Sequence, residues 1–372
     1  MVSRRRTVRV LVTGGAGFIG AHVVKALLAE GAEPRILDLR SPGGREGSDV
    51  EHVVGDIRDA AVASRALDGV DAVCHQASMV GVERSFDDAA AYVSNNDVGT
   101  ASLLTAMANV GFKGRFVLAS SMVVYGEGRY RCERDGIVRP GPRDPADLAS
   151  GRFDHACPHC GGSLEAEPLP EDARLEPRSV YAATKLHQEH LCRAYSRELG
   201  APLTILRYHN VYGPGMPRNT SYAGVAAVFL SALEAGLAPD VFEDGRQLRD
   251  FVHVSDVARA NAIALTRERA AVGVFNVASG APRSVGEMAS ALSSAFGPAA
   301  PAPRVTGAFR LGDVRHVMGS PERAARDLGF TARIEFGQGL LDLVAHVGPG
   351  SSRDTGFGGS DGRTARRSVV RG

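Results

Sequence analysis

The chain has 372 residues, with 43 Lys and Arg against 42 Asp and Glu, and a formal net charge of +1. That balance leaves no basic footprint for nucleic acid, and no uninterrupted run of about 18 apolar residues offers a membrane-spanning helix. The basic start Met1-Val2-Ser3-Arg4-Arg5-Arg6 leads into a strand-like run and glycines rather than a signal peptide's apolar segment, so a cytoplasmic protein with reduced cysteines is expected.

Val8-Arg9-Val10-Leu11-Val12-Thr13 reads as a buried strand, rich in β-branched residues and stopped by glycines. Gly14-Gly15-Ala16-Gly17-Phe18-Ile19-Gly20 follows, and residues 21–30 carry helical apolar spacing at Val23, Val24, Leu27 and Leu28. A second strand is expected over 34–38. Further short apolar runs at 70–74, 114–119 and 203–206 alternate with helix-like stretches such as 99–110 and 180–199. This alternation predicts an α/β fold with a Rossmann-type doubly wound parallel sheet.

Two regions break the rhythm. Residues 127–178 are dense in Gly, Pro, Arg and acidic residues, and are too long for a plain loop in a compact domain. From 349 onward the chain is Gly, Ser and Arg with little to bury, which predicts disorder.

The Gly14-x-x-Gly17-x-x-Gly20 spacing lies between a predicted strand and a predicted helix. Glycines there permit a tight turn and close backbone approach to a pyrophosphate, and the helix N-terminus adds free N–H groups and a positive dipole end. Asp38 ends the second strand, 18 residues past Gly20, where a carboxylate can accept hydrogen bonds from an adenosine ribose. That favours NAD over NADP, although the nearby Arg40 is of a type that accommodates a 2′-phosphate.

Tyr181-Ala182-Ala183-Thr184-Lys185 places a phenol and an ammonium four residues apart, on one face of a helix. A nearby cation favours the phenolate, which makes Tyr181 a candidate base. Only three of the chain's basic residues are Lys (Lys25, Lys113 and Lys185), and one of them stands here. On its own, a Tyr and Lys pair at this spacing is common on helices and carries no function.

These motifs together resemble the extended short-chain dehydrogenases, the nucleotide-sugar epimerase and dehydratase group. Thr13 through Gly20 resembles the group's opening, Gly55-Asp56-Ile57-Arg58-Asp59 its adenine-reading loop, and His75-Gln76-Ala77 the segment after its fourth strand. Asn96-Asp97-Val98-Gly99-Thr100 resembles a helix start of the same group. The resemblance covers roughly residues 7–345, interrupted by the 127–178 insertion.

The resemblance implies an NAD-binding domain over 7–209, a smaller and partly interleaved substrate-binding domain over 210–345, and a tail over 346–372. Its implied cofactor contacts are Gly14, Gly17, Phe18, Ile19, Gly20, Asp38, Arg40, Asp56, Ile57, Gln76, Ala77, Asn96, Tyr181 and Lys185. Ser121, four residues before Tyr125, would hydrogen-bond the reacting sugar oxygen. Dehydratases of the group carry an Asp-Glu pair after that hydroxyl; here Met122 and Val123 stand there and neither transfers a proton. Asn210 would contact the sugar nucleotide, Arg249 and Arg310 its diphosphate, and Asp313 a ribose or base-side hydroxyl. His209 replaces the group's usual Phe, and is expected to be a spectator more than a pocket residue. A homodimer is implied through helices near 99–112 and 180–199.

Cys157-Pro158-His159-Cys160-Gly161-Gly162 looks like a zinc knuckle, but supplies two of the four ligands that structural zinc needs. Cys132 is the candidate third ligand, and Asp135 or His155 the fourth. Reduced surface thiols and redox chemistry are the competing readings. Cys74 and Cys192 fall on core-like positions and read as ordinary buried thiols.

The expected activity is NAD-dependent epimerisation of a nucleotide-diphosphate sugar, at C4, through a transient 4-keto intermediate. The insertion and the run Gly312-Asp313-Val314-Arg315-His316 resemble a dTDP-L-rhamnose 4-epimerase-like branch; a UDP-glucose 4-epimerase-like one is its neighbour. A 4-ketoreductase or dehydrogenase with net redox is the alternative within enzymes, and an NAD-binding regulator without turnover the alternative outside them.

Overall fold

Val10, Leu11 and Val12 have no solvent exposure, as a strand covered on both faces requires. They lie in β1 (Arg9–Thr13), which opens a chain whose computed structural model describes residues 7–41, 50–81, 86–218 and 224–346. The expected tail falls outside the described residues from 347 onward. Among the described residues no helix is long and apolar enough to cross a membrane.

β1 is followed by α1 (Phe18–Ala29), β2 (Glu33–Asp38), β3 (Glu51–Val54), α2 (Ala60–Ala66) and β4 (Ala72–His75). α1 begins at Phe18, three residues before the sequence pattern places it, because Gly17 is already the extended N-cap and the turn passes directly into helix. Next come α3 (Ala89–Tyr92), a π-helical turn at Val93–Val98, α4 (Gly99–Asn109) and β5 (Arg115–Ser121). The second half of the fold opens with α6 (Val180–Leu199) and β9 (Leu203–Tyr208), after an insertion described below.

Seven strands form one sheet in the order Gly273–Val277, β9, β5, β4, β1, β2, β3. Every pairing in it is parallel. The winding reverses between β1 and β4, the switch point at which ligands bind beyond the carboxyl ends of the strands. Helices cover both faces. Val23, Val24 and Leu27 of α1 pack with Val257, Ala260 and Leu265 on one side. On the other, Val62, Leu103, Met107, Cys192 and Tyr195 form a second core. A third apolar cluster, including Phe229, Phe251, Met288 and Leu340, is built from residues after 210, with Phe18 packed against it. The strand Gly273–Val277 nevertheless edges the main sheet, so the chain crosses back to the first half.

The segment 127–178 is structured. It holds β6 (Arg129–Cys132), β7 (Gly136–Val138), α5 (Pro145–Ala149) and β8 (Leu164–Glu167), and the strands form an antiparallel sheet in the order β7, β6, β8. Asp144 caps α5 by accepting the Ala146 N–H at 2.8 Å, with Pro145 in the first helical turn. A small core of Tyr130, Cys132, Val138 and Cys157 lies between the strands and the knuckle.

Candidate active site

Ser121 ends β5 at the carboxyl edge of the sheet, and its hydroxyl caps the following turn by accepting the Val123 N–H at 3.3 Å. Tyr181 enters from the first turn of α6, whose N-cap Ser179 accepts the Ala182 N–H at 3.1 Å. The Ser121 hydroxyl is near enough to act on the Tyr181 phenol. Burial pushes the Tyr181 phenol above its ordinary range, and the nearby Ser121 hydroxyl opposes that shift. Lys185, one turn along α6, is 4% exposed and donates to the Ala119 carbonyl at 3.0 Å. Burial lowers its pKa to about 8, with Cys192, Asp97 and Glu189 holding it up. The structure thus brings Ser121, Tyr181 and Lys185 together as a hydroxyl, a phenol and a buried cation.

The glycine loop has the shape a pyrophosphate needs. Gly14 sits at φ +69°, and a Cβ there would lie 2.8 Å from the Ala77 backbone. At Gly20 a Cβ would lie 2.1 Å from the Gly14 carbonyl oxygen, so the α1 start packs directly on the turn. No side chain caps α1, which leaves its first-turn N–H groups available to an anion. Phe18 and Ile19 turn their side chains into two different cores, so what they offer a cofactor is backbone. Asp38 ends β2 and accepts the Ala16 N–H and the Arg40 N–H, each at 3.1 Å. The Arg40 guanidinium lies 4.0 Å from the same carboxylate, which keeps the acid the nearer of the two charges to the turn. Asp56 is clasped by Arg58, whose hydrogen bonds hold its carboxyl below the usual range. Ile57 lies next to Gly99, where a Cβ would come within 3.1 Å of it.

Gln76 donates to the Tyr208 hydroxyl at 2.9 Å and to Asn261 Oδ1 at 3.0 Å, while the Ala77 N–H reaches Thr13 Oγ1 at 3.2 Å. Asn96 is fully buried and faces protein on all sides. It donates to Thr184 Oγ1 and the Met79 carbonyl, each at 3.0 Å, and accepts from the Met79 N–H at 2.7 Å. These bonds tie the segment after β4 to α6. Sequence reasoning missed the partners of that tie: His75 joins Thr13 and Thr100 at 2.7 and 2.9 Å, and Gln188 donates to Thr100 at 2.6 Å. Burial holds the His75 imidazole neutral, with its pKa lowered to about 3.

On the opposite side, the Asn210 side-chain oxygen is buried without a hydrogen-bond partner, which suits a residue awaiting a ligand. Arg249, expected at the diphosphate, is bonded to main chain. Its guanidinium donates to the carbonyls of Leu248, Val314 and Arg315 at 2.7–2.9 Å, so in this state it braces the segment that carries Asp313. Arg310 stacks over the Phe242 ring at 5.0 Å, and its charge acts on Asp313, which is exposed. His209 packs under Gly319, where a Cβ would lie 2.3 Å from its Nε2, and faces Asn276 at 3.5 Å. It is a core imidazole.

Cys132, Asp135, Cys157 and Cys160 converge, with their ligand atoms all within 4.8 Å of one another. Asp135 Oδ2 lies 3.3 Å from Cys132 Sγ and 3.1 Å from Cys157 Sγ, and the Cys132 and Cys160 sulfurs are 3.5 Å apart. Gly161, at φ +73°, closes the knuckle by donating to the Cys157 carbonyl at 2.9 Å. His155, the other candidate fourth ligand, is elsewhere: its Nε2 lies 3.2 Å from Glu127, and its ring packs on Tyr130. Asp135 joins the three cysteines because it lies in the β6–β7 turn, beside Cys132.

The profile of the NAD dependent epimerase/dehydratase family matches residues 10–146 and 158–278. The chain is 36% identical over 353 residues to a dTDP-L-rhamnose 4-epimerase of Burkholderia thailandensis, covering 91% of this chain and 94% of that protein. The crystal structure of a Thermus thermophilus UDP-glucose 4-epimerase in complex with NAD superposes with a TM-score of 0.71 at 31% identity, over 91% of this chain and 98% of that one. A UDP-N-acetylglucosamine 4-epimerase from Methanobrevibacter ruminantium, solved with UDP-N-acetylmuramic acid, gives a TM-score of 0.74 at 27% identity, over 92% and 98% of the two chains. With its parallel sheet, glycine turn and Ser–Tyr–Lys cluster, the chain belongs to the NAD dependent epimerase/dehydratase family.

Proposed function

We propose that the chain is an NAD-dependent epimerase of nucleotide-diphosphate sugars, acting at C4. The observation that carries this reading is the convergence of Ser121 at the end of β5 with buried Tyr181 and Lys185 on α6, Lys185 bonded to the β5 carbonyl of Ala119, with Met122 and Val123 in place of a proton-transferring pair. Tyr181 takes the proton of the sugar 4-hydroxyl as the C4 hydride leaves, and returns it after the keto sugar has turned. Ser121 holds the reacting oxygen in line with the phenol. Lys185 lowers the cost of the phenolate through its charge. Bound NAD supplies a hydride acceptor that is regenerated in each cycle.

The cofactor would lie on the Gly14–Gly20 turn, with Asp38 on its adenosine ribose and Asp56 and Ile57 at its adenine. The cradle at Gly14 and the uncapped start of α1 support that placement. Asn210, Arg310 and Asp313 are the sugar-nucleotide contacts, with Arg249 turning from its carbonyls toward the diphosphate. We also read residues 7–209 and 210–345 as cofactor and substrate lobes, the protein as cytoplasmic, and its assembly as a homodimer.

Three sulfur donors and a carboxylate oxygen suit a four-coordinate structural zinc at Cys132, Asp135, Cys157 and Cys160. Metal analysis of protein purified without chelator tests this, with one zinc per chain expected and no bound metal overturning it.

The activity is tested by incubating the purified protein with UDP-, dTDP- and GDP-sugars and analysing the products. Interconversion of 4-epimers without net reduced cofactor is expected. Stoichiometric accumulation of reduced nicotinamide would instead identify a dehydrogenase.

A further inference from the structure

The insertion reaches far from its own sheet. Phe153 and Leu148 pack on Phe309, next to Arg310. Arg143, with its side chain 5% exposed, donates through Nη2 to Glu243 Oε1 at 2.7 Å and to the Asp313 carbonyl at 2.8 Å. Its Nη1 donates to the Phe153 carbonyl at 3.2 Å. Glu243 is 2% exposed and has φ +54°, a conformation no other non-glycine residue adopts among the described residues. A side chain held there needs surroundings that over-determine it. Here those are Arg143 on one carboxylate oxygen, Arg315 Nη1 at 2.9 Å on the other, and an N–H that donates to the Ala308 carbonyl at 2.8 Å.

The far side of the same segment is gripped from the knuckle. Asp154 accepts from Arg315 Nε at 2.7 Å, and His155 sits on Glu127. Glu127 accepts the Arg315 N–H at 3.1 Å and the Tyr130 hydroxyl at 2.8 Å. Tyr130 lies two residues before Cys132 on β6, and Asp154 and His155 lie just before Cys157. The cysteine cluster therefore anchors both chain segments that hold 308–316.

We infer that the inserted module is a wall of the nucleotide pocket, in which Arg143 and Glu243 act as positioning residues that fix Arg310 and Asp313 for the nucleoside diphosphate part of the substrate. This rests on the reading above of Arg310 and Asp313 as sugar-nucleotide contacts. The cluster of Cys132, Asp135, Cys157 and Cys160 is the module's anchor, holding the zinc proposed above. The insertion thus sets affinity for the nucleotide and leaves the chemical step to Ser121, Tyr181 and Lys185.

The test is calorimetric titration of the NAD-loaded protein with UDP, dTDP and GDP, alongside steady-state kinetics on the sugar found active. Arg143→Ala should raise the Kd of the preferred nucleotide and the KM of its sugar at least tenfold. Its kcat should stay within about threefold and its bound NAD unchanged. Arg143→Lys, which keeps a donor for both partners, should recover most of the affinity. Glu243→Gly accepts the positive φ without strain, and Arg315 keeps Asp154 and Asp244 while Arg143 keeps two carbonyls, so the variant should fold with lowered stability and show the same KM-against-kcat split. Stripping the metal with chelator and reductant should weaken the nucleotide in the same direction. Unchanged Kd and KM in folded Arg143→Ala and Glu243→Gly overturn the wall, and an unchanged Kd after metal removal overturns the anchor. Failure of the unaltered NAD-loaded protein to bind any of the three nucleotides overturns the underlying nucleotide-sugar reading instead.

Discussion

Arg207 and Glu189 meet where neither touches solvent, with Nε on Oε1 and Nη2 on Oε2, both at 2.8 Å, and side-chain exposures of 1% and 0%. Ser120, next to the candidate catalytic serine, donates to the same Glu189 at 2.6 Å. The pair therefore fixes α6 against β5 and β9, and with them the distance between Tyr181 and Ser121. Removing one partner of a buried ion pair strands the other charge, at about 3–5 kcal/mol. Glu189→Ala should lower the denaturant midpoint accordingly, and Glu189→Gln less. Midpoints within error of the unaltered protein would show that the pair is not what holds α6.

Tyr181→Phe removes only the hydroxyl. It should reduce turnover of the active sugar by about 10²–10⁴-fold, the scale of general acid–base catalysis. Bound NAD and thermal midpoint should stay in place. Retention of most activity would remove Tyr181 from the role of base.

Glu127 gives a pH signature. Burial works to raise its pKa, but His155, the Gly128 N–H and the Tyr130 hydroxyl outweigh that and hold it at about 2, below its ordinary value of 4.5. A carboxylate with a lowered folded pKa contributes stability above its unfolded pKa and loses it as pH falls through the folded one. The contribution is about 3 kcal/mol at full ionisation. The stability gap between the unaltered protein and Glu127→Gln should therefore be constant above about pH 4.5 and close between pH 4.5 and 2. Urea unfolding across that range measures it. A gap that does not move with pH would mean Glu127 is not ionised in the fold.

Gly14→Ala puts a Cβ 2.8 Å from main-chain atoms of Ala77 at a residue with φ +69°. Neither atom can swing away as a side-chain tip would, so the turn must open. The variant should purify with less than about a tenth of the bound NAD, read from its absorbance after denaturation, while the main sheet still folds. Full NAD occupancy would place the pyrophosphate elsewhere.

Much of this site is readable from neighbours in sequence. The glycine turn, Asp38 and the Tyr181–Lys185 pair are local patterns whose spacing states their geometry. The pattern misplaces the start of α1 only because glycines weaken a helical signal that in fact begins at Phe18. What the sequence hides is long-range. Nothing near Arg143 announces that it will meet Glu243, 100 residues away, or the Asp313 carbonyl, 170 away. The choice between Asp135 and His155 turns on a strand pairing, and on Glu127 claiming the histidine. Arg249 is expected at a diphosphate; its carbonyl partners, 65 and 66 residues downstream, become visible only once the chain is folded.

The π-helical turn at Val93–Val98 works as a phase corrector. Tyr92 precedes it and lays its ring 6.1 Å from that of Tyr181, while Asn96 inside it and Thr100 after it face Thr184, Gln188 and His75. Each helical residue turns about 100°, so a regular helix with one residue fewer would rotate α4 by more than a quarter-turn relative to α3. Tyr92 could then reach the candidate base only by pulling Thr100 off the His75 chain that leads to the glycine turn. A single extra residue thus keeps the cofactor side and the proton-transfer side of the site in register.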